Sequence, residues 1–352
     1  MGFLKKNKKH IVEILFLILL CAGTFLLLFR DQELGEIWKL VQGAKKSYLC
    51  AGVIFVILFV CGESTIIFYM MRSLGIHAPF LHCIKYSFIG FFFSCITPSA
   101  TGGQPAQIYY MNKEGINVSV ATLVLMIVTI TYKFVLVVVG AGVILFRRDL
   151  IFDYMDNTRF LFYLGLFLNV GCITLMMILV FMPKLTKKMM MMGHRLLVKV
   201  RLIRHKETRI QRLTDAMDQY AKASEYFWSH KLMIFHVVLI SIIQRFLLFF
   251  VTYLVYCSLG LHGGNMADIM ILQATISVAV DMLPLPGGVG ASESLFVVMF
   301  EAIFGESVYA GLLLSRGLSY YALILISAMV SIYAHITITH AASKRRRVRE
   351  GV

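Results

Sequence analysis

Six stretches of this chain are apolar over about 20 residues or more: His10–Phe29, Ser47–Met71, Val118–Phe146, Arg159–Met182, Leu232–Leu259 and Ser307–His340. A helix needs about 20 apolar residues to cross the hydrocarbon core of a bilayer. Inside that core every backbone N–H and C=O must find a partner within the protein. The runs therefore point to an all-α polytopic membrane protein, a single integral membrane domain over residues 1–352 with six full spans. Composition agrees: 59% of residues are hydrophobic and 15% charged, against about half and about a quarter in soluble domains.

Two further apolar stretches end differently. Phe80–Thr97 runs into TPSATGGQP (Thr97–Pro105), and Met266–Leu283 runs into PLPGGVGASE (Pro284–Glu293). Pro removes a donor and Gly permits unusual dihedrals, so each break ends one short helix before another begins. Unwound backbone at membrane depth is tolerated only where protein or a polar cavity covers it. Both stretches are expected to be re-entrant hairpins, over 80–116 and 266–306.

Charge orients this topology. Basic residues gather at the edges of apolar runs: Lys5, Lys6, Lys8 and Lys9, the stretch from Lys184 to Lys231, and Lys344 to Arg349. With both termini cytoplasmic, all three clusters fall on one side, as the positive-inside tendency requires. The hairpins then enter from opposite faces. That arrangement is inverted-repeat-like and resembles secondary transporters whose broken helices meet near mid-membrane.

The net charge of +15 is thus explained by topology and anionic lipid, and no nucleic-acid motif accompanies it. The seven cysteines lie in or beside apolar runs without a C-x-x-C pair, which suits small buried hydrophobes. The histidines show no ligand spacing, so no metal site is expected. The N-terminal apolar run ends at Phe29-Arg30 without a small-residue cleavage site and reads as a retained span. Residues 183–231 form a basic, amphipathic cytoplasmic segment. Ile210, Leu213, Met217, Tyr220, Ser224 and Phe227 share one helical face, to lie on the membrane surface or across the bundle.

Candidate ligand-binding residues follow from the breaks. A helix restarting after Gly102, Gly103, Gln104 and Pro105, or after Gly287, Gly288, Val289 and Gly290, offers free N–H groups and a positive dipole end, which attract anions. In a membrane the obvious anion is a phosphodiester headgroup. Thr97, Ser99, Thr101, Gln104 and Gln107 add hydrogen-bonding groups at the first break, and Ser292 and Glu293 at the second. Ionisable residues inside apolar stretches cost about 3 kcal/mol or more each, and so usually face a cavity or a partner. Lys133, Arg245, Asp281, Glu293 and Arg316 are the deep ones. They are read as internal salt bridges, as the lining of a headgroup path, or as both. Lys85 and Glu63 are expected nearer an interface. Tyr109, Tyr110, Tyr320 and Tyr321 are interfacial anchors or cavity-lining groups. No catalytic residue is assigned.

The pairing of TPSATGGQPAQIYYMNKEGI (Thr97–Ile116) with LPLPGGVGASESLF (Leu283–Phe296) resembles the lysylphosphatidylglycerol synthase transmembrane-region family, over essentially the whole chain. This is the flippase-like domain of the bifunctional proteins conferring multiple peptide resistance. The resemblance implies a lipid flippase or transporter of the cytoplasmic membrane. In the bifunctional relatives this domain moves aminoacylated phosphatidylglycerol to the outer leaflet, and a soluble C-terminal domain makes that lipid. Here only about a dozen residues follow the last apolar run, so a standalone member without the aminoacyltransferase domain is expected. The implied ligand is an anionic or aminoacylated phospholipid, with lysyl-phosphatidylglycerol as one candidate, and no cofactor. Two alternatives stay open. One is a membrane transferase related to phosphatidylglycerol lysyltransferase, using Glu293 or Asp281. The other is a membrane partner of a separate lipid synthase, docked through residues 183–231.

Overall fold

The computed structural model describes residues 23–30, 32–148, 154, 158–199 and 207–350. The described residues are overwhelmingly helical, and no strand occurs among them. The expected span at 10–29 lies outside them, apart from a helical segment at 23–29.

The chain runs through α1 (Leu34–Gly43), α2 (Lys46–Ser73), α3 (Phe80–Ile96) and α4 (Gly103–Lys113), then α5 (Val118–Phe146) and α6 (Arg159–Phe181). It continues through α7 (Pro183–Lys199), α8 (Glu207–Ser229), α9 (Lys231–Ser258), α10 (Met266–Val280) and α11 (Ala291–Phe304). α12 (Val308–Arg316) and α13 (Leu323–Glu350) are joined without interruption by a π-helical segment, Gly317–Ala322.

Among the described residues five stretches are long and apolar enough to cross a membrane: α2, α5, α6, α9 and the continuous region Pro286–Ile338. The last of these carries the expected Ser307–His340 span but begins earlier, because α11 and α12 follow one another with only a single 3₁₀ turn between them. α3 and α10, at 17 and 15 residues, reach about 25 Å and 22 Å at 1.5 Å per residue, short of the ~30 Å core.

Side-chain caps open two of these helices. Asn117 accepts from the N–H of Ser119 at 2.9 Å to start α5, and Asn265 accepts from Ala267 at 3.0 Å to start α10. Two staples fix the direction of the helix–break–helix units. His82 Nδ1 lies 2.8 Å from Glu114 Oε2, tying the start of α3 to the end of α4 near the N-terminal end of α5. Arg147 pairs with Asp268 at 2.6 Å, tying the C-terminal end of α5 to the start of α10. The two units therefore point toward each other from opposite ends of α5.

Packing has the same polarity. One apolar core gathers Ile66, Met70, Tyr86, Leu123, Phe227 and Val237 around the first unit. Another gathers Leu136, Phe162, Phe249, Phe296 and Phe300 around the second. α5 and α9 run through both. Each carries a cation near its midpoint, Lys133 and Arg245, and that polar layer lies between the cores. Two smaller apolar clusters sit at this level, one of Cys95, Ile96, Val289 and Tyr320, the other around Phe59 and Val251.

The basic segment 183–231 holds two helices, α7 and α8, and α8 docks across the bundle. Tyr220, Ala223, Ser224 and Phe227 are buried. The Tyr220 hydroxyl donates to Leu179 O at 3.1 Å, Ser224 donates to Val180 O, and the Tyr226 hydroxyl donates to Ser73 O at 2.7 Å. Carbonyls in the last turn of a helix lack intrahelical donors. α8 supplies them to the ends of α6 and α2.

Candidate functional site

The first break is closed from within. Thr97 Oγ1 donates to Phe93 O at 2.6 Å and accepts from the Gly102 N–H at 2.9 Å. Ser99 and Ala100 hold φ of 48° and 55°, a left-handed conformation that costs non-glycine residues about 1 kcal/mol or more each. α4 then returns tightly against α3. A Cβ on Gly103 would stand 2.1 Å from Ser94 Oγ and 2.7 Å from Gly90 O, so only glycine allows this approach.

The second break carries its left-handed turn on glycine. Gly287 has φ of 57°, and a Cβ there would stand 2.0 Å from Tyr320 Cε2. Glu293 reaches back from the first turn of α11 to accept from the Gly290 N–H at 2.7 Å. Its other oxygen accepts from Arg316 Nε at 2.7 Å, and Arg316 also donates to Gly287 O at 3.1 Å.

These two breaks meet. Ser99 Oγ donates to Leu283 O at 3.2 Å, and the Tyr320 hydroxyl donates to Cys95 O at 3.0 Å. Arg316 and Tyr320 are one helical turn apart, with the guanidinium 4.4 Å from the Tyr320 ring centroid. One helical face therefore grips the second break through Arg316 and the end of α3 through Tyr320. The π-helical turn begins immediately after Arg316. Such turns are rare and frequent at functional sites.

Beside this junction lies a cavity of about 610 Å³. Its wall includes Ser99, Thr101, Gln104 and Gln107 from the first unit, Asp281, Gly287, Gly288 and Ser292 from the second, and Lys133, Arg245 and Arg316 from the surrounding helices. Gln104 is held to Thr129 and to Leu125 O, the latter at 3.3 Å. Five expected ligand-binding residues do not reach the wall: Thr97, Gly102, Gly103, Gly290 and Glu293. Their groups are used in building the breaks, as described above. A helix end that must turn sharply uses its own small and capping residues to do so.

Glu63, expected near an interface, lines the cavity, and Gln107 Nε2 donates to its Oε1 at 2.8 Å. Nothing in an apolar run distinguishes an inward carboxylate from one near the rim, since the run has no polar face to orient it. Tyr132 and Tyr320 also line the wall, whereas Tyr109 and Tyr321 are exposed. Lys85 turns away to Thr337 Oγ1 at 3.2 Å.

The ionisable groups are arranged unequally. Lys133 Nζ lies 2.6 Å from Asp281 Oδ2 and touches Asn169 Oδ1 at 3.4 Å. Arg316 is matched with Glu293. All four side chains are at most 15% exposed. The Arg245 guanidinium instead sits over the Tyr132 ring at 3.5 Å from its centroid and 5.2 Å from that of Phe59. Its buried Nε has no hydrogen-bond partner among the described residues.

The family model described as "Lysylphosphatidylglycerol synthase TM region" matches residues 11–327. No curated protein matches the chain.

Proposed function

Because the chain belongs to the lysylphosphatidylglycerol synthase TM-region family, we propose that it is a lipid flippase. It moves an anionic or aminoacylated phospholipid between the leaflets of the cytoplasmic membrane, with lysyl-phosphatidylglycerol as one candidate. Family and apolar helices together establish a multi-pass membrane protein. The single observation that carries the transport reading is the meeting of two opposed helix breaks beside a charged cavity of about 610 Å³. Sites of this kind, at the junction of discontinuous helices, suit a substrate approached from either side in turn.

On this reading both units are re-entrant and both termini are cytoplasmic. The headgroup occupies the polar layer between the two apolar cores, and the acyl chains remain in lipid. The transferase reading is less well served. Asp281 and Glu293, the carboxylates it would use as acid or base, are each held at 2.6–2.7 Å by a cation.

Reconstitution tests the proposal. Proteoliposomes carrying fluorescent phosphatidylglycerol, lysyl-phosphatidylglycerol or a glycolipid are treated with an impermeant quencher. Faster loss of inner-leaflet signal than in empty vesicles is expected for at least one phospholipid. No acceleration with any of the three lipids rejects it.

A further inference from the structure

Among the described residues three cations line the cavity, but two are committed to carboxylates. Lys133 is bound to Asp281, and Arg316 ties Glu293 and Gly287 O into the second break. Drawing either toward a ligand would break the structure that forms the cavity. Arg245 differs. It projects from the middle of α9 onto the cavity wall, and among the described residues no carboxylate oxygen comes within ion-pair distance of it.

Its position is nevertheless fixed. The neighbouring Gln244 donates to Phe59 O at 2.9 Å, and α2 approaches α9 so closely that a Cβ on Gly62 would stand 2.8 Å from Gln244 Cγ. The rings of Tyr132 and Phe59 hold the guanidinium through the attraction of a cation for an aromatic face. That contact leaves the planar N–H edge for an acceptor. A half-buried, positioned guanidinium whose buried Nε has no partner among the described residues matches the bidentate geometry of a phosphate.

Glu63 lies one turn beyond Phe59 on α2 and lines the same cavity as Arg245. Gln107 engages one of its oxygens.

We propose that Arg245 is the phosphate-binding residue of the cavity and that Glu63 receives the amine of the same headgroup, while Lys133 and Arg316 act as structural ties. The assignment rests on the reading of the cavity as a headgroup site, though not on lipid movement.

Calorimetric titration of the full chain in detergent provides the test. The probes are dihexanoyl phosphatidylglycerol, its lysyl ester, and a dihexanoyl glucosyl glycerolipid without phosphate. Arg245→Gln should weaken both phosphate-bearing probes at least about tenfold, the scale of a hydrogen bond to a charged group, and leave the glycolipid unchanged. Glu63→Gln should remove most of the preference for the lysyl ester and spare phosphatidylglycerol itself. Arg245→Lys keeps the charge without the flat fork, and serves as the folded control if the glutamine variant is unstable. It should weaken the phosphate probes selectively, to an intermediate degree.

Undiminished phosphate binding in both Arg245 variants, equal loss for all three probes, or no phosphate-lipid binding by the unaltered protein overturns the assignment. Failure of the vesicle assay with these binding results intact rejects transport and leaves the assignment standing.

Discussion

The hydroxyl of Tyr320 donates to the carbonyl of Cys95 at 3.0 Å, joining residues 225 positions apart in the chain. The tyrosine lies in the π-helical turn that follows Arg316, and the cysteine closes the short helix before the first break. The two breaks are thus held in register by a neighbouring helix as well as by their own contact through Ser99.

Tyr320→Phe should test this link with little change in packing. The ring stays over Arg316, but the Cys95 carbonyl loses a donor. The expected destabilisation is about 1–3 kcal/mol, the cost of leaving a buried acceptor unmatched, read as a lowered thermal-unfolding midpoint in detergent. An unchanged midpoint would show that the hydrogen bond adds nothing to the junction.

Gly287→Ala should be far more damaging than an ordinary surface change. The residue holds φ of 57°, and the new methyl would stand 2.0 Å from the Tyr320 ring. Strain and overlap each cost about 1–3 kcal/mol. Combining Gly287→Ala with Tyr320→Ala removes the overlap but not the strain, so partial recovery of folded protein is expected by size-exclusion chromatography.

The Lys133–Asp281 pair calls for a double-mutant cycle. Lys133→Met leaves a carboxylate with no cation, and Asp281→Leu leaves an ammonium with no anion. Each single change should cost about 3–5 kcal/mol, and the double change much less. Additive losses in thermal or denaturant unfolding would contradict direct coupling at 2.6 Å.

At the α8 end, burial pushes the Tyr220 phenol up to about 12, above the value of about 10 for an exposed tyrosine. The unfolded chain therefore releases this proton first as pH rises. Stability contributed by the neutral phenol is complete below about pH 10 and is lost as pH climbs through about 12. Unfolding midpoints of the unaltered protein and Tyr220→Phe, compared from pH 8 to 11.5, should show a steeper alkaline decline in the former. Parallel curves would count against a buried neutral phenol.

Deleting residues 207–229 should lower the stability of the spans themselves. Tyr220, Ser224 and Tyr226 each satisfy a carbonyl at the end of α6 or α2, at about 1 kcal/mol apiece. Far-ultraviolet circular dichroism during heating should show the truncated chain melting earlier. Equal melting would assign α8 to some task other than capping.

Much of this arrangement was legible in the sequence. The two breaks stand out because Pro beside paired Gly ends a helix, and Lys133, Arg245, Asp281 and Arg316 stand out because charges there are costly. Helix boundaries followed hydropathy closely, as at Val118–Phe146. What the sequence could not resolve is partnership. Asp281 and Glu293 look equivalent as letters, yet one lines the cavity and the other folds back on its own helix end. Glu63 was obscured because a uniformly apolar helix carries no periodic mark of its inner face. The π-helical turn at Gly317–Ala322 leaves no composition signature, and the contact of Ser99 with Leu283 spans 184 positions.

The separation of the two large apolar cores governs how this protein can deform. Each end is a coherent block of interlocked side chains, while the level between them is held by the Ser99–Leu283 and Tyr320–Cys95 hydrogen bonds, the Lys133–Asp281 pair, smaller apolar clusters and the two helices α5 and α9 that pass through it. Tilting one block against the other exchanges a few directional bonds, which water or a polar guest can replace, and flexes α5 and α9 where they pass through that level. Prising either block apart would expose a full set of large side chains. A pivot about the molecule's own equator therefore leaves both blocks intact.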